Sequence, residues 1–232
     1  MHVQGMTLRQ AALITGFGLL IMMIAAPFAE FFVYTKLVVT DDIDATVKNI
    51  QTSGGLFLAG ILAYLIVFVF DVIVAWALYV LLAPVNRSVS LLTAWFRLVY
   101  TAVALFSMLK LVTVFRMLDS PEYLAVFGSD QLPAQVKLLL DSFRYEWGIG
   151  LILFGIHLVL VGYLVYRSAY IPKLLGILLV IAGLSWMIFE VGPFLLPDAD
   201  LGFLLIPISG ELIFMAWLLV RGWKIPEPSA PF

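Results

Sequence analysis

The 232-residue chain has no cysteine, two histidines and only 12% charged residues. Without cysteine there are no disulfides, no thiolate catalysis, no iron–sulfur cluster and no cysteine-ligated zinc. His2 stands at the extreme N-terminus, which leaves His157 alone in the body of the chain. That is too few for a multi-histidine metal site or bis-histidine haem ligation. No H-E-x-x-H, G-x-S-x-G or P-loop pattern occurs. Carboxylates are scattered, so no metal site and no cofactor are expected. The net charge of −2 comes without a basic stripe, and no nucleic-acid partner is expected.

What the chain has instead is apolar length. It is 63% hydrophobic with a mean hydropathy of +1.10, whereas a soluble domain carries about 25% charged residues. Apolar runs cover approximately 10–34, 55–83, 89–116, 145–166, 172–196 and 202–222. A hydrocarbon core of roughly 30 Å needs about 20 residues per helix, and every run qualifies. The alternation of barrel strands is absent, so helices must satisfy the backbone. The expected fold is all-α: a single polytopic domain of six transmembrane helices. Arg9 before an apolar stretch, with Ala26-Pro27-Phe28-Ala29 after it, imitates a secretory signal. Pro27 suits a cleavage site poorly, and an uncleaved first span is expected.

Connector charge orients the chain. One side holds Arg9, Arg87, Arg167, Lys173, Arg221 and Lys224. The other holds Lys36 and Lys48 among Asp41, Asp42, Asp44, Asp119, Glu122, Asp130, Asp198 and Asp200. Basic residues stay in the cytoplasm, so both termini are expected there, in a multi-pass protein of the cell membrane. Tyr163, Tyr166, Tyr170 and Trp223 suit an inner aromatic belt, and Tyr34, Tyr123, Tyr145 and Trp147 an outer one.

The longest connectors, 35–54 and 117–131, face outward. Ile43, Val47 and Ile50 recur at helical spacing behind Asp42 and Asp44. A short surface helix and a solvated loop fit this stretch equally. Residues 132–146, joined to span four, would make a helix of roughly 50 Å at about 1.5 Å per residue. Ser88 is a candidate cap for span three, and Pro172 suits the first turn of span five. No internal repeat is found, so an inverted-repeat transporter lacks support.

Ionisable side chains at bilayer depth are costly and mark sites to inspect. Asp71, Arg97, His157 and Glu211 form an inner-to-middle set, the candidates for ligand binding or ion relay. Glu30, Lys110, Arg144, Glu146, Trp186 and Glu190 are candidates at the outer mouth. Asp71 and Arg97 lie on spans joined by a short hairpin and are expected to pair, either as packing glue or as a gate or clamp. Glu146, Gly150, Leu153 and His157 share one helical face, as do Gly176, Leu179, Gly183, Trp186 and Glu190. A lone histidine on an apolar helix is more often a hydrogen-bonded core residue than a ligand; the functional reading of His157 is proton relay or ligand contact. Pro207 and Gly210 beside Glu211 predict a kink in span six.

Three blocks carry a family resemblance. The first is Pro84-Val85-Asn86-Arg87-Ser88 with Ala94-Trp95-Phe96-Arg97-Leu98. The second is His157-Leu158 with Gly162-Tyr163-Leu164-Val165-Tyr166-Arg167-Ser168 and Ile171-Pro172-Lys173-Leu174-Leu175-Gly176. The third is Gly210-Glu211 with Trp217-Leu218-Leu219-Val220-Arg221-Gly222. Together they resemble an uncharacterised prokaryotic membrane family, domain of unknown function 4386. The resemblance implies a six-helix membrane fold and places Arg97, His157 and Glu211 on positions of the family pattern. It implies no activity.

Three functions fit these features. One is binding or transport of a small molecule or ion through a polar intramembrane centre. The second is a non-catalytic structural, sensory or regulatory subunit. The third is an intramembrane enzyme acting on a lipid or apolar substrate, and the balance leans away from catalysis. Expected partners are the bilayer and a small-molecule or lipid ligand. Oligomeric state is not legible.

Overall fold

A computed structural model describes residues 6–195, 200–205 and 209–227, and every regular element among them is helical. Helix α1, Leu8–Pro27, continues through a wider π-helical stretch, Phe28–Tyr34, and a last turn, Thr35–Leu37. Pro27 supplies no amide and crowds the preceding turn, which accounts for the change of register there. Helix α2, Ile43–Thr52, follows a turn in which Asp41 takes a positive φ of 65°. Asp42 caps α2, its Oδ1 accepting the Ala45 amide at 2.8 Å. The helical alternative for this stretch is the observed one, with Thr46 and Ile50 buried.

Helix α3 is Gly54–Leu82, α4 is Arg87–Asp119 and α5 is Pro121–Arg167. Helix α6 is Lys173–Leu195 and α7 is Gly210–Arg221. The cap of α4 is Asn86 rather than Ser88: Asn86 Oδ1 accepts the Val89 amide at 3.0 Å. The expected outward connector at 117–131 is mostly helix. Ser120 alone separates α4 from α5, and Pro121 opens α5 where a missing amide costs nothing. Helix α5 is thus 47 residues long, about 70 Å at roughly 1.5 Å per residue.

Five helical stretches are long and apolar enough to cross a membrane: Leu8–Leu37, Gly54–Leu82, Arg87–Asp119, Gln131–Arg167 and Lys173–Leu195. The sixth expected span is not among them. Its described parts are a turn at Gly202–Leu205 and the 12-residue α7, and a helix that long covers only about 18 Å. The kink expected at Pro207 lies outside the described residues, as does Asp198.

Polarity is inverted relative to a soluble fold. Phe106, Trp76, Leu62 and Val72 are among many exposed apolar side chains, while Asp71, Arg97 and His157 are buried. That distribution suits lipid as the surrounding solvent, and the chain is a membrane-embedded protein.

The helices divide into two compact units. The first takes Met1–Leu20, Phe70–Thr101 and Ile149–Phe232; the second takes Ile21–Val69 and Ala102–Gly148. In the first unit α5 and α6 approach through paired glycines seven residues apart on each helix. A Cβ on Gly183 would lie 2.5 Å from the Gly155 carbonyl oxygen, and one on Gly162 would lie 2.6 Å from that of Gly176. Such contact needs hydrogen in place of a side chain. The tail closes the same unit's first helix. Glu227 Oε2 and Oε1 accept the Leu8 and Arg9 amides at 2.9 and 3.0 Å, and Arg9 Nε donates to the Ile225 carbonyl. In the second unit the core is aromatic. Tyr34, Tyr64 and Trp147 surround Phe143; Tyr34 is buried rather than a member of an outer belt, and Trp147 is half-buried. Tyr123 and Tyr145 are exposed, as belt residues would be.

Gly183→Leu is expected to lower the melting temperature in detergent, since overpacking a tight contact costs about 1–3 kcal/mol. Gly55→Ala, whose Cβ would meet nothing within 4 Å, should leave it unchanged or raise it. A second outcome concerns pH. The burial cost, the largest single effect, is outweighed by the Arg9 and Leu8 amides, the Thr7 hydroxyl and the Arg9 charge together, so the Glu227 carboxyl sits below the usual glutamate range. Its contribution is therefore complete above the unfolded glutamate pKa and lost as pH falls through the lower folded value. Amide exchange at Leu8 and Arg9, after correction for intrinsic rates, should lose protection in that acid window. In Glu227→Ala that protection should be missing at every pH.

Candidate functional site

The α3–α4 hairpin brings the first charged groups together. The turn closes when the Val85 amide donates to the Leu82 carbonyl, and Ser90 Oγ donates to the Tyr79 carbonyl at 2.9 Å. Deeper along the same pair, Arg97 Nη2 lies 2.7 Å from Asp71 Oδ1. Both side chains are almost completely enclosed, at 1% and 0% residue exposure. Asp71 Oδ2 has no hydrogen-bond partner among the described residues.

Helix α5 adds His157, 0% exposed and stacked on Phe154. Its Nδ1 is 2.9 Å from the Thr93 carbonyl oxygen, and its Nε2 is 3.1 Å from Arg97 Nη1. A carbonyl only accepts and a guanidinium only donates. Nδ1 must therefore carry the hydrogen and Nε2 the lone pair, so the ring is the neutral Nδ1–H tautomer. The guanidinium is thus shared between a carboxylate and an imidazole, and it also lies 5.5 Å from the Phe154 ring centroid.

Glu211 approaches from α7. It occupies the first turn of that helix. Trp186 Nε1 on α6 donates to Glu211 Oε1 at 3.3 Å. Trp186, expected at the outer mouth, therefore touches Glu211 of the inner-to-middle set. Glu190, one turn further along α6, is half-buried. Arg97, His157 and Glu211 line one cavity with Leu78, Leu179 and Phe214. Its volume is about 10 Å³, room for a single water.

The remaining mouth candidates assemble in the second unit as two ion pairs. Arg144 Nη2 binds Glu30 Oε1, and Lys110 Nζ binds Glu146 Oε2 at 2.6 Å. Tyr64 hydroxyl donates to the other Glu30 oxygen at 2.8 Å, and the Arg144 guanidinium stands 4.0 Å from the Tyr34 ring centroid. Arg144 is exposed and Glu30 half-buried. Tyr64 and the Thr93 carbonyl were not legible as partners: a tyrosine in an apolar run, or a backbone oxygen, carries no sequence signal. Among the described residues no group of three or more potential ligands could hold a metal ion.

A family model described as a domain of unknown function, DUF4386, matches residues 14–222. The chain belongs to the DUF4386 family. An uncharacterized protein of Archaeoglobus fulgidus is 33% identical over 170 residues, covering 72% of this chain and 86% of that protein. No solved structure matches the chain. The DUF4386 match contains both charged clusters and excludes Arg9 and Glu227, which join the two ends.

Arg97→Leu alone should cost about 3–5 kcal/mol in equilibrium unfolding from mixed micelles, because it strands the Asp71 charge. Asp71→Leu/Arg97→Leu should recover most of that loss. Additive losses would show that the two side chains do not act as a pair.

Proposed function

We propose that this DUF4386 protein binds and relays a small ion, in the first instance a proton, through the Asp71–Arg97–His157–Glu211 centre. The reading takes the chain as six-spanning, with α7 and the preceding turn forming the last span, both termini cytoplasmic, and the bilayer of the cell membrane around it. Support for that arrangement is the charge asymmetry of the connectors.

One observation carries the relay: Arg97, His157 and Glu211 line a cavity with room for one water, and Asp71 is paired to the same Arg97. A proton or a water fits that space, whereas an organic solute requires the helices to part. The geometry also supplies a response. A proton arriving at His157 Nε2 turns an acceptor into a donor facing the Arg97 Nη1 donor. The two cations then repel, which breaks the Arg97–His157 contact and leaves Arg97 held by Asp71 alone. Protonation thereby loosens the tie between α4 and α5.

The tight direct pairing of Asp71 and Arg97 favours a second reading, a non-catalytic structural or sensory subunit in which the same groups fix helix packing. The enzyme reading loses support because His157 presents no surface to lipid.

Proteoliposomes loaded with a pH-sensitive dye separate the first two. Under an imposed pH gradient the protein should acidify vesicles several-fold faster than protein-free controls. His157→Ala and Glu211→Gln should return the rate to background. Equal rates with and without protein would remove the relay and leave the structural reading.

A further inference from the structure

A second pocket lies at the end of the first unit where α3 turns into α4 and α5 into α6. It is a groove of about 480 Å³ lined by Tyr170, Trp217, Arg221, Lys224 and Ile225. We propose that this groove binds the phosphate of an anionic phospholipid headgroup.

The cations are available. Arg221 and Lys224 are exposed, and no carboxylate among the described residues lies within ion-pair distance of either. Downstream of Glu211 the sequence contains one acidic residue, Glu227. Its two oxygens are committed to the Leu8 and Arg9 amides, so the acid nearest in sequence is drawn away from the groove. Lys224 Nζ instead stands 4.7 Å from the Trp223 ring centroid. A guanidinium with an ammonium three residues on matches a phosphate, which takes a bidentate fork from arginine and a point charge from lysine.

The walls fit the rest of a lipid. Tyr170 is held as a fixed wall because its hydroxyl donates to the Leu81 carbonyl at 2.6 Å, and burial pushes that phenol up to about 12. Trp217 supplies an indole face, and buried Ile225 an apolar floor. Exposed Val220 and Trp223 flank the cations with apolar surface. Basic groups beside exposed aromatic and aliphatic surface mark the depth at which headgroups meet acyl chains. A soluble phosphate would use the cations and leave that surface idle.

The test uses the full chain in detergent, delipidated and then offered phosphatidylglycerol, phosphatidylcholine or inorganic phosphate, with retention read by native mass spectrometry. Wild type should retain phosphatidylglycerol at least five-fold more than phosphatidylcholine. Arg221→Gln/Lys224→Gln should lose that preference, while Lys36→Gln/Lys48→Gln, which removes equal charge elsewhere, should keep it. Arg221→Lys guards against misfolding of the double variant and should show an intermediate preference. Three results would overturn the proposal: an unchanged preference in the groove variants, an equal loss in the control variant, or displacement of the lipid by equimolar inorganic phosphate.

Discussion

Asp71 and Arg97 face each other at 2.7 Å with almost no exposure to solvent, and each makes the other tolerable. Removing two charges from water costs several kcal/mol per ion, and their attraction offsets this only when further polar contacts are made. Arg97 obtains one from the neutral His157 ring, whose tautomer is fixed by the Thr93 carbonyl. Three helices are thereby tied at one point by a network in which each donor and acceptor depends on the next. Replacing such a buried pair by apolar residues of similar volume is often neutral or stabilising, so the pairing is weak evidence for a stabilising role.

Close helix packing makes the tie effective. The two glycine pairs of α5 and α6 bring backbone to backbone, which fixes α6 against the helix that carries His157. The Trp186 indole on α6 then reaches Glu211 at the start of α7. Small residues set the helix distance, and that distance keeps the cavity beside Arg97, His157 and Glu211 near the volume of one water. The second unit uses a different device for its own charges. Arg144 rests on an aromatic ring and binds a carboxylate that also receives a tyrosine hydroxyl, so its ion pair is half-solvated and backed by rings.

Much of this was legible because lipid imposes hard rules on sequence. Apolar length revealed five helices that the structure contains, and hairpin connectivity was enough to pair Asp71 with Arg97. Helical spacing put Gly176 and Gly183 on one face, where the structure finds them opposite Gly162 and Gly155. The failures also have physical causes. Residues 121–131 carry Pro121, Pro133 nearby and several polar groups, and they read as a connector, yet proline at the first position of a helix is favourable. Depth counted from span ends set Trp186 apart from Glu211, an offset that the length of the two side chains bridges. Tyr34 was placed in a belt by residue type alone, which does not reveal that its ring packs against Phe143.

The network has a spectroscopic signature that packing alone does not produce. With His2 replaced by glutamine, His157 is the only histidine in the chain. Nitrogen-15 solid-state NMR of the histidine-labelled protein in lipid at neutral pH then reports one ring. A neutral Nδ1–H tautomer, with Nε2 shifted when Arg97 is changed to leucine, is the predicted result. An Nε2–H tautomer, or a ring indifferent to Arg97, would contradict the arrangement on which the proposed centre rests.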